Sequence, residues 1–267
     1  MSVEYITSFL DPFDNTISQP KILDGSVPRS SGLRFRSTGN ITLDASGGAT
    51  YVVLLPGASN TLAYKLPADA SWTPAPAHAS HLQNEASRAN VKLWRYVSGG
   101  VRLSLLNSSD QNEGYWEAVR IPIVSTNVLI PNPGLNTTDC RVYPVNTYAL
   151  SDMANHHTFQ TGKLKDLHRF QFKLNSTSPY HPLKPVSPAM TVEQSYDSAY
   201  DMIVIKLIGR IDAVTPSMIQ YNCVSNHEVV YTENTALSRL ATASPVQRDM
   251  DLILDKTKYM LPAIQIN

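Results

Sequence analysis

Four histidines, His156, His157, His168 and His181, gather in one stretch of the chain, and imidazole is a common metal ligand. Their spacings match no compact ligand pattern, and the stretch reads as loop, where histidines collect without binding anything. Asp110, Glu113 and Glu117 surround a second candidate position. Asp110 and Glu113, with Glu117 nearby, would suit a hard cation such as calcium, held with carbonyl oxygens across a subunit boundary. The Asp-x-Asp-x-Asp-Gly order of a calcium loop is missing, so a solvated turn leading into a strand is the simpler expectation. Asp110 with Glu117 is also the one nearby pair for acid–base hydrolysis, and adjacent carboxylates are common without catalysis. Asp139 and Asp152 are no better supported. Lys21, Arg29, Arg34 and Arg36 form the third set, with only Asp24 against them. Such a segment would touch phosphates without reading bases, which makes these four the candidate nucleic-acid contacts. The competing expectation is that they face solvent or a neighbouring subunit, since polyanion tails carry blocks of ~5–6 like charges.

The signatures of enzymes and cofactor sites are absent from the sequence. It has no Gly-x-Ser-x-Gly nucleophile elbow, no P-loop, no dinucleotide fingerprint and no His-Glu-x-x-His. The expectation is therefore a protein that is not an enzyme and carries no cofactor.

The elements that would position these residues are mostly strands. Thr50 to Leu55 is an apolar run closed by Pro56-Gly57. From Val91 to Val97 the residues alternate, and Val101, Leu103 and Leu105 alternate again after Gly99-Gly100, where a bulge or bend would join two pieces of one strand. Tyr115 to Ile123 puts Val119, Ile121 and Ile123 on one face and Trp116, Ala118 and Arg120 on the other. Arg169 to Leu174 alternates cleanly, with Phe170, Phe172 and Leu174 inward. Met202 to Ile208, broken only by Lys206, suggests a strand covered on both faces. A last strand region runs from near Ile219 to Tyr231. Short helices are expected within Ala77 to Ala89, and after Ser244-Pro245-Val246-Gln247, which reads as a capping box. Between Ser125 and Leu167 the polar, turn-rich sequence reads as a surface loop excursion. The expected class is all-β: an eight-stranded jelly-roll sandwich with long loops and one or two short helices, forming a single domain over 1–267. Val101, Leu103, Val119, Ile121, Phe170, Phe172, Ile203 and Ile205 are its expected core.

Composition agrees with that class. Charged residues make up 16% of 267, against ~25% in average domains, which fits a chain that hides surface against neighbours. Eighteen prolines along the chain disfavour long helices. The formal net charge is zero, so no overall field drives the chain to polyanions. Cys140 and Cys223 are expected as buried free thiols. Sequons at Asn40, Asn107, Asn136 and Asn175 are expected to carry no sugar, since the start of the sequence does not read as a secretion signal. No apolar run approaches the ~18–20 residues of a membrane span. Trp72, Trp116 and Tyr143 are candidate contact anchors between subunits. The alternative is a carbohydrate- or ligand-binding module in which Trp72, Trp94 and Tyr115 form a platform.

Specific strings narrow the choice. Pro12-Phe13, then Gln19-Pro20-Lys21-Ile22-Leu23-Asp24-Gly25, then Ser31-Gly32-Leu33-Arg34 resemble the start of the shell domain in coat proteins of circular, Rep-encoding single-stranded DNA viruses. Leu23 stands where that group commonly has proline. Trp94 to Leu103, Gly114 to Arg120, Ser225 to Tyr231 and Leu237 to Leu240 resemble the same group, in the same order. The resemblance implies a jelly-roll subunit, related to those of small RNA viruses, that assembles with copies of itself into an icosahedral capsid around a small genome. It implies a virion component, passing through host nucleus or cytoplasm during assembly, with a host receptor the sequence does not name. Coat proteins of this group usually begin with an Arg/Lys-rich arm, and the sequence given has none. Either it starts after such an arm, or another component handles the genome, or the particle is empty.

Overall fold

Apolar alternation generates most of the strands, and one long strand forms where alternation is faint. The computed structural model describes residues 7–22, 29–58, 61–69, 72–74, 82, 85–107, 113–122, 127–130, 141–144, 153–174, 182–187, 197, 199–211 and 215–243. In the first half lie β1 (Arg29–Thr42), β2 (Ala49–Leu54), β3 (Leu62–Lys65), β4 (Thr73–Pro74), β5 (Val91–Leu105), β6 (Tyr115–Pro122) and β7 (Asn127–Ile130). In the second half lie β8 (Arg141–Pro144), β9 (Gln160–Lys163), β10 (Arg169–Gln171), β11 (Lys184–Pro185), β12 (Asp201–Ile208), β13 (Met218–Tyr231) and β14 (Thr242–Ala243).

The first sheet runs β10-β5-β13-β1-β14, with β11 also on β5, and the second runs β4-β3-β2-β12-β6-β9. Eight principal strands, β1, β2, β5, β6, β9, β10, β12 and β13, carry the fold. Counted in that order, the sheets read sixth-third-eighth-first and second-seventh-fourth-fifth, with every adjacent pair antiparallel. The chain passes repeatedly from sheet to sheet, as in a jelly roll of two Greek keys. The expected all-β jelly roll is what forms. Among the described strands, β7 and β8 pair only with each other.

The inner faces meet in one core. Trp94, Tyr96, Val101, Leu103, Phe170 and Phe172 come from the first sheet and its continuation, and Trp116, Ala118, Ile203, Ile205 and Leu207 from the second. Val119 and Ile121 were expected here and are not here. They join Val53, Leu55, Ala63, Trp72, Met153, Met202 and Val204 in a separate cluster on the opposite face of the second sheet. The period-2 pattern of β6 is real, but both of its faces are apolar because chain segments cover the sheet's outer side. Alternation fixes which residues share a face and not which face looks inward. The continuous run in β12 has the same cause and was expected to be covered twice.

Strand β5 is one unbroken strand, without a bend at Gly99-Gly100. Its irregularities lie where the partner of Asn226 is Ser98 and that of His227 is Tyr96, leaving Val97 as an extra residue, and again beside Lys92. Each extra residue switches the inward parity, which is why Trp94 and Tyr96 share the core with Val101 and Leu103. The glycine pair serves close approach instead. A Cβ on Gly99 would lie 1.9 Å from Tyr96 Oη, and one on Gly100 would lie 2.4 Å from the Phe170 carbonyl oxygen.

The last part of the 125–167 stretch belongs to the sandwich rather than to an excursion. Strand β9 pairs with β6, Leu164 is fully buried in the main core, and Met153 lies in the outer cluster. Short, polar β9 (QTGK) carries no apolar signal of its own. Within 77–89 the described helix is Glu85–Arg88. The helix expected after Ser244 falls outside the described residues.

Candidate functional site: the strapped face of the first sheet

Strand β1 alternates between core and outer face. Leu33 and Ile41 point to the core, so Arg34, Arg36, Thr38 and Asn40 point outward. On β5 and β10 the same parity sends Arg102 and Arg169 outward, and these two are direct cross-strand partners. Residues 7–22 lie across this face as a strap.

The strap is held at two places. Near its start, Asp11 pairs with Arg169 at 3.0 Å, and the Phe13 ring lies 5.7 Å from the Arg102 guanidinium and 5.8 Å from that of Arg169. Arg34 donates to the carbonyls of Pro12 (2.8 Å) and Asp14, and Arg36 donates to the side-chain oxygen of Asn15. Burial, then the nearby Arg36 charge, pull the Arg34 pKa down, with Asp14 and Asp11 opposing. Asp14 is held below the usual carboxylate range by hydrogen bonds from the Thr16 backbone and hydroxyl.

The second attachment is a buried ion pair. Arg95 and Glu228 face each other across β5 and β13, and neither side chain reaches solvent. Glu228 accepts from Arg95 Nε at 2.9 Å and Nη2 at 2.7 Å, from the Ile22 backbone N–H at 3.0 Å and from Ser30 Oγ at 2.6 Å. Arg95 also donates to the Ile22 carbonyl at 3.3 Å. Beside them Lys21 donates to the Ser30 carbonyl and to Thr242, at 2.6 Å to its hydroxyl and 3.1 Å to its carbonyl. Burial lowers the Lys21 pKa and the Glu228 charge opposes that shift. Gly32 permits the crossing, since a Cβ there would lie 2.6 Å from the Pro20 nitrogen. Gln19 to Ile22, Gly32, Arg95 and Glu228 come from strings far apart in sequence and meet at this one place.

The charge on the two sheets is unequal. The first carries Arg29, Arg34 and Arg36 on β1, Lys92, Arg95 and Arg102 on β5, Arg169 on β10 and Lys184 on β11, against Glu228 alone. The second carries Lys65, Arg120, Lys163 and Lys206 against Glu117 and Asp201. A neutral chain is thus polarised by sheet.

The four expected phosphate contacts separate. Arg29 and Arg36 are exposed, Arg34 is half-buried on strap carbonyls, and Lys21 is buried. Lys21 and Arg34 serve the strap because the chain's own carbonyls reach them first. The sequence offered no sign that Arg102 and Arg169 would join Arg36 on one face, since strand pairing alone brings them together.

Among the described residues, the other candidates do not assemble. Glu113 is exposed and lies 3.7 Å from Arg210, while Asp110, Asp139, Asp152 and His181 fall outside the described residues. Glu117 pairs with Lys206 at 2.9 Å. His156 and His157 stack at 4.5 Å, whereas His168 stacks on Phe170 and contacts Trp116. Among the described residues no three metal-ligating side chains form a group. Trp72 and Trp116 are each 4% exposed and Trp94 is fully buried. They form neither contact anchors nor a sugar platform with Tyr115, because their rings fill the two apolar clusters. The side chain of Tyr143 is not described. Asn107 is engaged at both ends, accepting from Met218 N and donating to the Pro216 carbonyl, and Asn40 is exposed. Cys223 is a buried free thiol, and Cys140 lies outside the described residues. Among the described residues no helix is long and apolar enough to cross a membrane.

Viral capsid proteins of known structure share this two-sheet architecture. Solved structures similar in fold include infectious bursal disease virus-derived T=1 particles (TM-score 0.54, 13% identity, covering 97% of this chain and 90% of that one). The Gx strain of the same virus is also similar (TM-score 0.59, 11% identity, 98% and 93%). The chain belongs to the shotokuvirus capsid protein family, whose model matches residues 2–71, 60–193 and 176–260. It is 28% identical to the capsid protein of Avon-Heathcote Estuary associated kieseladnavirus, over 88% of this chain and 80% of that protein. It is 24% identical to that of Chaetoceros diatodnavirus 1, over 87% and 74%. The protein is therefore a structural component of a virion, related to those of single-stranded DNA viruses.

Proposed function

We propose that copies of this chain close into an icosahedral shell around a small viral genome. The observation that carries this reading is the family match, which extends from residue 2 to residue 260. The polarised charge supports the genome part of it, because cations concentrated on one sheet give a neutral chain a side suited to phosphates. Exposed Arg36 belongs to that side, Lys21 and Arg34 hold the strap, and Arg29 is exposed at the first position of β1 with the opposite parity. Assembly proceeds in the host nucleus or cytoplasm.

Contacts between copies need exposed apolar side chains. Leu106, Tyr115 and Ile211 are 46%, 40% and 79% exposed. They cluster at one end of the sandwich, where β5 ends, β6 begins and β12 has just ended. Covering them with a second copy would remove apolar surface from water at both partners.

Light scattering on the chain eluting from a sizing column tests the reading. The expected species has the mass of a closed many-subunit particle, and Ile211→Glu lowers its yield. A species of 29.5 kDa under every salt, pH and calcium condition tried would overturn it.

A further inference from the structure

The strapped face has an open end. Along the margin of residues 7–22, Arg36, Arg102 and Arg169 touch the strap and are still exposed, as are outward-facing Thr38, Asn40 and Gln220. Asn222 sits between Arg102 and Thr38 in register, and its Oδ1 is buried without a hydrogen-bond partner. The described acidic residues here are Glu228, buried against Arg95, and Asp11 and Asp14 on the strap, of which Asp11 pairs with Arg169, so that three cations of this margin face one partly exposed carboxylate pair. Adjacent strands are ~4.8 Å apart, so Arg169 and Arg102 are one spacing from each other and Arg36 lies about two further across. Phe13 stands beside two of the three guanidinia.

Resting on the genome-contact reading above, we infer that single-stranded nucleic acid lies on this open face. Its phosphates are held by Arg36, Arg102 and Arg169, and a base stacks at Phe13. Charge complementarity argues for this occupant over a protein: exposed cations, hydroxyls and amides line the face, and aliphatic anchors do not. A positively charged track with an adjoining aromatic ring is the pattern that binds single strands without reading sequence. The Asp11 pair and the Phe13 contacts hold Arg169 and Arg102 outward, so part of their side-chain entropy is lost before the strand arrives.

Binding of fluorescein-labelled oligothymidylate to the full chain, measured over a salt series, tests the inference. Arg36→Ser/Arg102→Ser/Arg169→Ser should weaken binding tenfold or more at 0.1 M salt. It should also flatten the log–log salt slope by about 2, since each single-strand phosphate contact contributes about 0.7. Phe13→Leu should weaken binding and leave that slope unchanged, because stacking releases no counterions. Lys65→Ser/Lys163→Ser/Lys206→Ser, with the same charge change on the other sheet, should bind as the unaltered chain does. If the two triple variants bind alike, the location is wrong although the chain contacts nucleic acid. If the unaltered chain fails to bind at low salt, the genome-contact reading itself is wrong, and this inference falls with it.

Discussion

Replacing Glu228 with glutamine removes one charge and almost no volume, at the point where the strap joins the sheet. The carboxylate accepts from two Arg95 nitrogens, the Ile22 N–H and the Ser30 hydroxyl. A glutamine amide turns two donors into this ring of donors and leaves the buried guanidinium without its counter-charge. Breaking a buried pair from one side costs about 3–5 kcal/mol, a factor of roughly 10²–10⁴ in the folding equilibrium at about 1.4 kcal/mol per decade. Glu228 is fully inaccessible, so solvent cannot replace the lost partner and the upper part of that range applies. The assay is urea denaturation of dissociated subunits, because assembly would add its own concentration-dependent stability. In an Arg95→Met background the same Glu228→Gln change should cost at least about 2 kcal/mol less, since the charge needing compensation is gone. By contrast Asp11→Asn, at a pair that is nearly half exposed, should cost at most about 1 kcal/mol. A Glu228→Gln cost below about 1 kcal/mol, or an equal cost in both backgrounds, would refute the account of the strap.

Gly99→Ala and Gly100→Ala should each destabilise the subunit by about 1–3 kcal/mol of overpacking, read as a lower urea midpoint; wild-type midpoints would show the close approaches to be relieved cheaply. Trp72→Ala and Trp116→Ala should both destabilise the isolated subunit by about 3–5 kcal/mol, and a variant that folds normally but fails to assemble would make that ring a contact anchor after all. Burial raises the Cys223 pKa to about 12, so its folded-state thiolate fraction at pH 8 is about 10⁻⁴. In a Cys140→Ser background a thiol reagent should therefore label Cys223 at pH 8 only after denaturation. The sign follows from the raised pKa: the stability linked to this thiol is full below its unfolded pKa and is lost as pH rises toward about 12.

The strands that sequence reveals best are those with one clear apolar face, such as Phe170 with Phe172, or with apolar residues throughout, as in β12. Strand β6 shows where the reading stops, because Trp116 and Ala118 pack inward while Val119 and Ile121 pack under an outer cover. Only the three-dimensional fold decides between two apolar faces. Strand β1, at 14 residues, escapes a sequence reading for another reason. Gly32 and Gly39 interrupt it, and its outward residues are polar. The cationic set was half legible. Local spacing groups Lys21, Arg29, Arg34 and Arg36, yet the strap's own carbonyls take Lys21 and Arg34, while Arg102 and Arg169 join the face only through strand register. The strings around Lys21, Gly32, Arg95 and Glu228 meet at one buried site, which strand register and the strap bring together.

The most direct test of the capsid account is negative-stain electron microscopy of the purified full chain. Uniform closed shells are the predicted result, with fewer of them for Ile211→Glu. Dispersed monomers across salt, pH, calcium and added single-stranded nucleic acid would contradict it.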